Sequence, residues 1–329
     1  MFMMTMMSGT IVSISALSWL SAWIGLEINM LSLMPLMKNF NNKMSAESTI
    51  KYFIIQTMAS MILLFSMLSF SNSTMFNLEM INFYSFFMNL ALFTKMGAAP
   101  FHFWLPEVVS GVSWQMIFII LTWQKITPMI LLMYSYSMNM LMMMVIILSS
   151  LIGGLTGLNQ TDLKKIMAYS SINHISWMLA ALMISSSTWI MYFLVYTMIN
   201  FMLISHLYMN KLNYLFQLSK IFAKNKINKL IFMINFLSLG GLPPFLGFLP
   251  KWLTIFNLSI NSMFYMSTIL IIFTLMSLYM YIRIMFTSTT LLNSESIKLS
   301  TYNKTYFILT LSMNISISFL MILLSLPLF

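Results

Sequence analysis

The sequence predicts an all-α, polytopic membrane protein of about eleven transmembrane helices, and three observations carry that expectation. Hydrophobic residues make up 60% of the chain, charged residues only 7%, and the mean hydropathy is +0.89. That leaves too few polar side chains to cover a water-soluble globule. The 329 residues supply roughly eleven spans at about 20 apolar residues each plus short connections. Alternation of apolar and polar residues with period two is absent, which argues against a β-barrel.

Hydropathy places the spans at 1–20, 22–38, 47–70, 82–108, 113–135, 138–158, 162–184, 187–210, 229–257, 263–286 and 304–327. The first is apolar from Met1, with no basic leader and no small-residue exit, so it reads as a retained helix. The ninth cannot be continuous. Pro243, Pro244 and Pro250 have no N–H to give, and Gly240, Gly241 and Gly247 weaken what remains. Within a bilayer, irregular backbone survives only where protein or a water-filled cavity covers it, and broken helices are where transporters bind or pass ions.

The fourth span carries the same pattern. Gly97-x-x-Pro100-Phe101-x-x-x-Leu105-Pro106 matches Gly241-x-x-Pro244-Phe245-x-x-x-Leu249-Pro250, five identities in ten positions set 144 residues apart. Lys95 flanks the first copy and Lys251 the second. Spans five apart run in opposite directions, which predicts two inverted five-helix repeats with discontinuous helices. Repeat one covers about 1–136, repeat two about 137–290, and one further helix at about 304–327 follows. The connections at 211–228 and 287–303 are polar and show no sign of a separate domain, so residues 1–329 read as one transmembrane domain.

Charge placement tests the count. With residue 1 on side A, the side-A connections hold Lys38, Lys43, Lys164, Lys165, Lys211, Lys220, Lys224, Lys226, Lys229, Lys298 and Lys304, and the side-B connections hold no basic residue. The positive-inside rule then puts the N-terminus inside and the C-terminus outside. The net charge of +10 is accounted for by topology and calls for no nucleic acid.

Glu27, Lys95, Lys125 and Lys251 remain as ionisable groups within spans. One such group at a span centre costs about 2.5–3.5 kcal/mol on the most lenient insertion scale, so these four need partners or water. Lys125 lies about 18 Å along its span at roughly 1.5 Å per residue, too deep to reach a headgroup. A buried lysine near Glu27 can be switched between proton-holding and proton-free states by moving the acid or its hydration, which is a proton relay in outline. The competing reading is that backbone carbonyls satisfy these lysines and they only fix helix packing. Lys51 and Arg283 read as end-of-helix anchors whose long stems reach the headgroups.

His174 falls mid-span on the polar run Tyr169-Ser-Ser-Ile-Asn-His174, which suits either a water-linked relay or a histidine bonded to its own Ser and Asn neighbours. His206 lies near a span end and His102 in the first helix break, so paired haem ligands at one depth are not available. With no cysteine, thiolate-held iron–sulfur clusters, disulfides and structural zinc are excluded. No phosphate loop or nucleophile–base pair is present, and Gly153-Gly154-x-x-Gly157 reads as a close-packing stripe.

Seven segments together carry a family resemblance. They are Trp23-Ile-Gly-Leu-Glu27-Ile-Asn29, Ser45-Ala-Glu47-Ser-Thr-Ile-Lys51-Tyr-Phe53, Lys95-Met-Gly-Ala-Ala-Pro-Phe-His-Phe-Trp104, Leu121-Thr-Trp-Gln-Lys125, Leu158-Asn-Gln160, Ala168-Tyr-Ser-Ser-Ile-Asn-His174 and Gly241-Leu-Pro-Pro-Phe-Leu-Gly-Phe-Leu-Pro-Lys-Trp252. They resemble the subunit 2 family of mitochondrial NADH:ubiquinone oxidoreductase (respiratory complex I) in its animal, insect-like form, over nearly the whole chain to about residue 290. The forty C-terminal residues match poorly, and Asn173 stands where a small apolar residue is usual in that family.

The resemblance implies an antiporter-like, proton-pumping subunit of the membrane arm in the mitochondrial inner membrane, with its N-terminus in the matrix and its C-terminus in the intermembrane space. It implies a proton relay of Glu27 paired with Lys95, then Lys125 and Lys251, with His174 on the polar axis. It also implies that this chain binds no cofactor or metal, with NADH, FMN, iron–sulfur clusters and ubiquinone handled by other subunits. Partners would be the neighbouring antiporter-like subunits and lipids such as cardiolipin. A stand-alone cation/proton antiporter and a non-pumping structural subunit are the two rival readings.

Overall fold

The computed structural model describes residues 1–39, 42–72, 78–135, 139–222, 226–243 and 245–290. Pro244 and the helix expected at 304–327 lie outside the described residues. The chain falls into two compact units, Met1–Ile152 and Gly153–Phe329. Among the described residues the structure is α-helical, with a single isolated bridge between Asp162 and Tyr214. Six stretches are long and apolar enough to cross a membrane: Trp19–Met37, Lys43–Phe70, Trp114–Tyr134, Met140–Gly157, Ser186–Met209 and Phe264–Phe286.

The first unit holds α1 (Phe2–Ile14), α2 (Trp19–Met37), α3 (Lys43–Asn72), α4 (Leu78–Met96), α5 (Trp104–Gly111), α6 (Trp114–Leu121), α7 (Trp123–Tyr134) and most of α8 (Asn139–Gly157). Helix α1 stops well before the expected boundary at 20 because Ser18 starts the next helix. Its hydroxyl accepts the Ser21 N–H at 3.3 Å, and the Ser21 hydroxyl accepts the Ser18 N–H at 3.3 Å, a reciprocal capping box. Small residues let α1 and α2 touch backbone to backbone. A Cβ on Gly25 would sit 2.6 Å from the Ser13 nitrogen and 2.8 Å from the Gly9 oxygen, the small-residue packing that membranes favour in the absence of a hydrophobic drive between helices.

The second unit holds α9 (Leu163–Ile184), α10 (Ser186–Met209), α11 (Leu215–Phe222), α12 (Lys226–Gly240), α13 (Phe248–Ile260) and α14 (Phe264–Thr290). Helix α9 is buried along most of its length from Ile166 to Ala181, and its buried residues include Ser170, Ser171, Asn173, His174 and Ser176. A helix this polar survives because protein, and not lipid, surrounds it. The glycine stripe acts as expected. A Cβ on Gly153 would meet the Asn173 nitrogen of α9 at 2.7 Å, and one on Gly157 would meet the Met280 sulfur of α14 at 2.6 Å.

Three expectations need correction. The connection at 211–228 contains α11, held by Leu163 N–H to Asn213 O at 2.9 Å and Leu215 N–H to Thr161 O at 3.1 Å, with Leu212 and Leu218 buried beneath it. Its leucines sit among Lys, Asn and Gln, and that helical spacing is the signal the overall polarity hid. Arg283 does not reach for headgroups. Its guanidinium donates to the Leu158 carbonyl and, at 2.6 Å, to the Gln160 carbonyl, which ties α14 to the α8–α9 connection. Lys51 is likewise no headgroup anchor: its ammonium lies 2.8 Å from Glu47 and 2.9 Å from Glu107, bridging α3 to α5.

Candidate functional site

Helix breaks position the site, and the two that the sequence repeats are built alike. Helix α4 ends at Met96 and α5 begins at Trp104, while α12 ends at Gly240 and α13 begins at Phe248, each boundary 144 residues from its counterpart. Gly97 has φ +73° and Gly241 φ +76°, a left-handed conformation that a side chain would strain. Three of the bonds around each correspond. Gly97 N–H donates to Thr94 O at 3.2 Å, Ala98 to Phe93 at 3.1 Å and Phe101 to Ala98 at 2.9 Å. Gly241 donates to Ser238 at 3.0 Å, Leu242 to Leu237 at 3.3 Å and Phe245 to Leu242 at 2.9 Å. Each is a glycine C-cap in which the chain folds back on the last turn of the helix and takes up carbonyls that would otherwise be orphaned.

In the first unit, Lys95 lies in the last turn of α4, where the helix dipole favours a cation. It is buried and lines a cavity with Asn29, Tyr52, Gln56, Gln124 and Thr127 as its polar wall. The cavity gives about 20 Å³ to the centre of a water molecule, and roughly 10–15 Å³ on that measure holds one. The wall is braced by Gln124 Nε2 donating to Asn29 Oδ1 at 2.9 Å and Gln56 Nε2 donating to the Lys95 carbonyl at 3.4 Å. Thr127 Oγ1 is buried there with no hydrogen-bond partner among the described residues, a group that favours a water beside it. Glu27, one residue beyond Leu26 in the cavity wall, acts electrostatically on Lys95 and Tyr52. Among the described residues no ion pair joins it to Lys95.

Among the described residues Lys125 is the most buried cation, with 1% of its surface exposed. It too follows a break, one that its flanking residues do not announce. Helix α6 ends at Leu121, Thr122 departs to φ −118° and ψ −71°, and α7 restarts at Trp123. The Thr122 hydroxyl donates to Phe118 O at 2.6 Å and the Lys125 N–H to Thr122 O at 3.1 Å. Pro128 lies inside α7, six residues past Thr122, and a proline disturbs the helix about four residues before it, so it marks a weakened segment here without placing the break.

In the second unit, Lys251 lies in the first turn of α13, buried. Its ammonium donates to the Gly240 carbonyl at 2.8 Å, the last residue of α12, and stands 5.9 Å from the centroid of the Trp177 ring. A Cβ on Gly241 would fall 2.7 Å from Lys251 Cδ and 2.9 Å from Nζ, so the glycine also makes room for the lysine. His174 is buried, with Nδ1 2.9 Å from the Tyr192 hydroxyl and its ring 5.0 Å from that of Tyr196. Asn173 donates to the Ser277 hydroxyl at 3.0 Å, which accounts for an amide at that position.

Every predicted lysine therefore sits at a helix interruption. Lys95 and the neighbourhood of Glu27 share one cavity, Lys125 is placed by α7 beside the Gln124 and Thr127 that line it, and Lys251 and His174 belong to the second unit. His102 is buried with Nδ1 3.2 Å from the Pro100 carbonyl, to which it can only donate, and its ring lies 4.3 Å from Phe103. That is a packing role within the first break.

Residues 16–278 match the family described as NADH:quinone oxidoreductase/Mrp antiporter, transmembrane. The chain is 47% identical over 285 residues to the NADH-ubiquinone oxidoreductase chain 2 of Anopheles gambiae, covering 86% of this chain and 83% of that relative. Its fold is similar to a chain of respiratory complex I from Thermus thermophilus, with a TM-score of 0.86 at 21% identity, over 99% of this chain and 78% of that one. It is also similar to a chain of the Mrp complex from a Dietzia species, with a TM-score of 0.77 at 16% identity, over 86% of this chain and 59% of that one.

Proposed function

The chain belongs to the NADH:quinone oxidoreductase/Mrp antiporter transmembrane family, and on that premise we propose that it works as a proton-translocating subunit in the membrane arm of an NADH:ubiquinone oxidoreductase. It is a multi-pass protein of the mitochondrial inner membrane. The proposed topology has eleven spans in two inverted five-helix repeats and a C-terminal helix, with the N-terminus in the matrix. Electron transfer, with its NADH, flavin, iron–sulfur clusters and quinone, belongs to other subunits. Neighbouring antiporter-like subunits and inner-membrane lipids such as cardiolipin are its partners.

Protons move along a lysine, glutamate and water axis to which the first unit supplies Glu27, Lys95 and Lys125 and the second His174 and Lys251. The observation that carries this reading is that the three lysines buried among the described residues all stand at helix breaks, one of them facing a polar cavity with room for a water. A buried ammonium is costly unless something exploits it, and broken helices with charged side chains mark ion paths in membrane proteins. Lys95 has no direct bond to Glu27, so it is the separation of the two and the water between them that decide whether Lys95 keeps its proton.

The test is Lys125→Met in the assembled oxidoreductase, with assembly verified. The number of protons translocated per NADH oxidised should fall. Wild-type stoichiometry would instead favour a scaffold whose polar interior carries no protons.

A further inference from the structure

Beyond the lysines, the second unit contains a cluster of buried hydroxyls with no assigned task. Tyr192 and Tyr196 lie one turn apart on α10 and Tyr281 on α14, all three buried against the polar face of α9. The Tyr192 hydroxyl is 2.9 Å from His174 Nδ1. The Tyr196 hydroxyl lies beside Ser171 and Asn200. The Tyr281 hydroxyl lies beside Ser170 and within electrostatic reach of both other tyrosines. The cluster thus runs from His174 through Ser171 and Ser170 towards the end of α9 that bears Lys164 and Lys165.

Tyr281 separates a packing explanation from a chemical one. Its ring packs 5.9 Å from that of Phe236, a contact phenylalanine would make equally well. Among the described residues its buried hydroxyl has no hydrogen bond of good geometry, while the neighbouring Ser170 hydroxyl donates to the Met167 carbonyl at 2.8 Å and keeps a lone pair that can accept. A buried hydroxyl left unsatisfied weakens a fold, so packing alone selects against it.

We propose that the hydroxyls of Tyr192, Tyr196 and Tyr281 form a proton branch joining His174 to the α9 end that carries Lys164 and Lys165. The branch rests on the proton-translocating function proposed above. Each tyrosine or serine oxygen in it accepts one proton and releases one to the next group. After rotation of the hydroxyl every side chain is neutral again, and only O–H and N–H bonds have formed or broken.

The test uses the intact oxidoreductase in liposomes, with Tyr281→Phe, Tyr192→Phe and Lys125→Met compared for assembly, thermal unfolding and the initial rate of NADH-driven proton translocation in H₂O and D₂O. A positioned proton-transfer group typically contributes about a hundredfold or more, and water can replace part of that. Tyr281→Phe should therefore slow translocation about tenfold and enlarge the solvent isotope effect, while its unfolding temperature stays level or rises. A purely structural tyrosine would move none of these rates. If Lys125→Met impairs pumping and both tyrosine variants translocate at the wild-type rate, the branch is wrong and the wider function stands. If Lys125→Met also pumps normally, both fall. Should Tyr192→Phe fail to assemble, Tyr281→Phe decides alone, because loss of an unsatisfied hydroxyl leaves the packing intact.

Discussion

At the end of α4 the exposed carbonyls are taken by neutral groups: Trp104 Nε1 donates to Thr94 O at 3.1 Å and Gln56 Nε2 to Lys95 O at 3.4 Å. At the matching end of α12 the Gly240 carbonyl is taken by an ammonium, that of Lys251. The glycine turns that open the two breaks are alike, down to the φ of their glycines, yet the cation lies before the break in one and after it in the other. Lys95 faces a cavity and makes no hydrogen bond or ion pair through its ammonium among the described residues. Lys251 is fastened to the helix it follows. The difference teaches that the break supplies a polarised, covered place for a charge, and that the side chains around it decide whether the charge is loose or held.

The largest contrast should come from removing each cation. Lys95→Met takes away a desolvated charge that no direct bond holds and leaves behind only the longer-range interaction with Glu27, so it should raise thermal stability while lowering coupled proton translocation about tenfold or more, as loss of a positioned proton carrier does. Lys251→Met also removes a charge but leaves the Gly240 carbonyl buried and unpaired, which costs about 1–3 kcal/mol. Its stability should therefore stay level or fall. Unfolding of the assembled complex, read beside proton flux, checks both. A rise in stability for Lys251→Met that equals the rise for Lys95→Met would erase the distinction between a held and a loose lysine.

The glycines give a smaller and more selective effect. Alanine at φ +73° or +76° costs about 1–2 kcal/mol in either unit. At Gly97 the new methyl meets Leu105 and Trp104, whereas at Gly241 it meets the Lys251 side chain from Cδ to Nζ. Both variants should lose stability by similar amounts, and Gly241→Ala should in addition alter proton transfer by displacing the ammonium from the Gly240 carbonyl. Equal proton flux in the two, measured at a temperature where both are folded, would show that Gly241 serves the backbone alone.

Much of this could be read from the residue pattern because its causes are local. Proline and glycine break helices wherever they stand, so the repeated motif located both interruptions, and the cost of a charge in lipid marked Lys95, Lys125 and Lys251. What was hidden depends on contacts distant in sequence. Thr122 carries no helix-breaking chemistry of its own, and no glycine or proline stands at its break. Nothing near Gln124 announces that its amide will meet Asn29 on α2. Lys51 looks like a headgroup anchor until α5 brings Glu107 to it. Tyr281 reads as one more aromatic in a chain rich in them, and only burial against Ser170 separates it from the rest.

Glu107 offers the smallest test and the one that bears most directly on the comparison. It stands 144 residues before Lys251, so the first turn of the second half-helix carries an acid in one break and a base in the other. The acid does not turn back on its own break. It bonds Lys51 on α3, with 57% of the Glu107 side chain and 40% of the Lys51 side chain exposed. Pairs this open contribute little net stability, because water competes for both partners, and Lys51 would keep its second contact with Glu47. Glu107→Gln should accordingly leave the unfolding temperature close to that of the wild type and proton stoichiometry unchanged, while a change at Lys251, the same structural position, affects both. If Glu107→Gln instead stopped proton translocation in a correctly assembled complex, the ion pair would be a working part of the path. The two breaks would then share a charged relay position as well as a backbone.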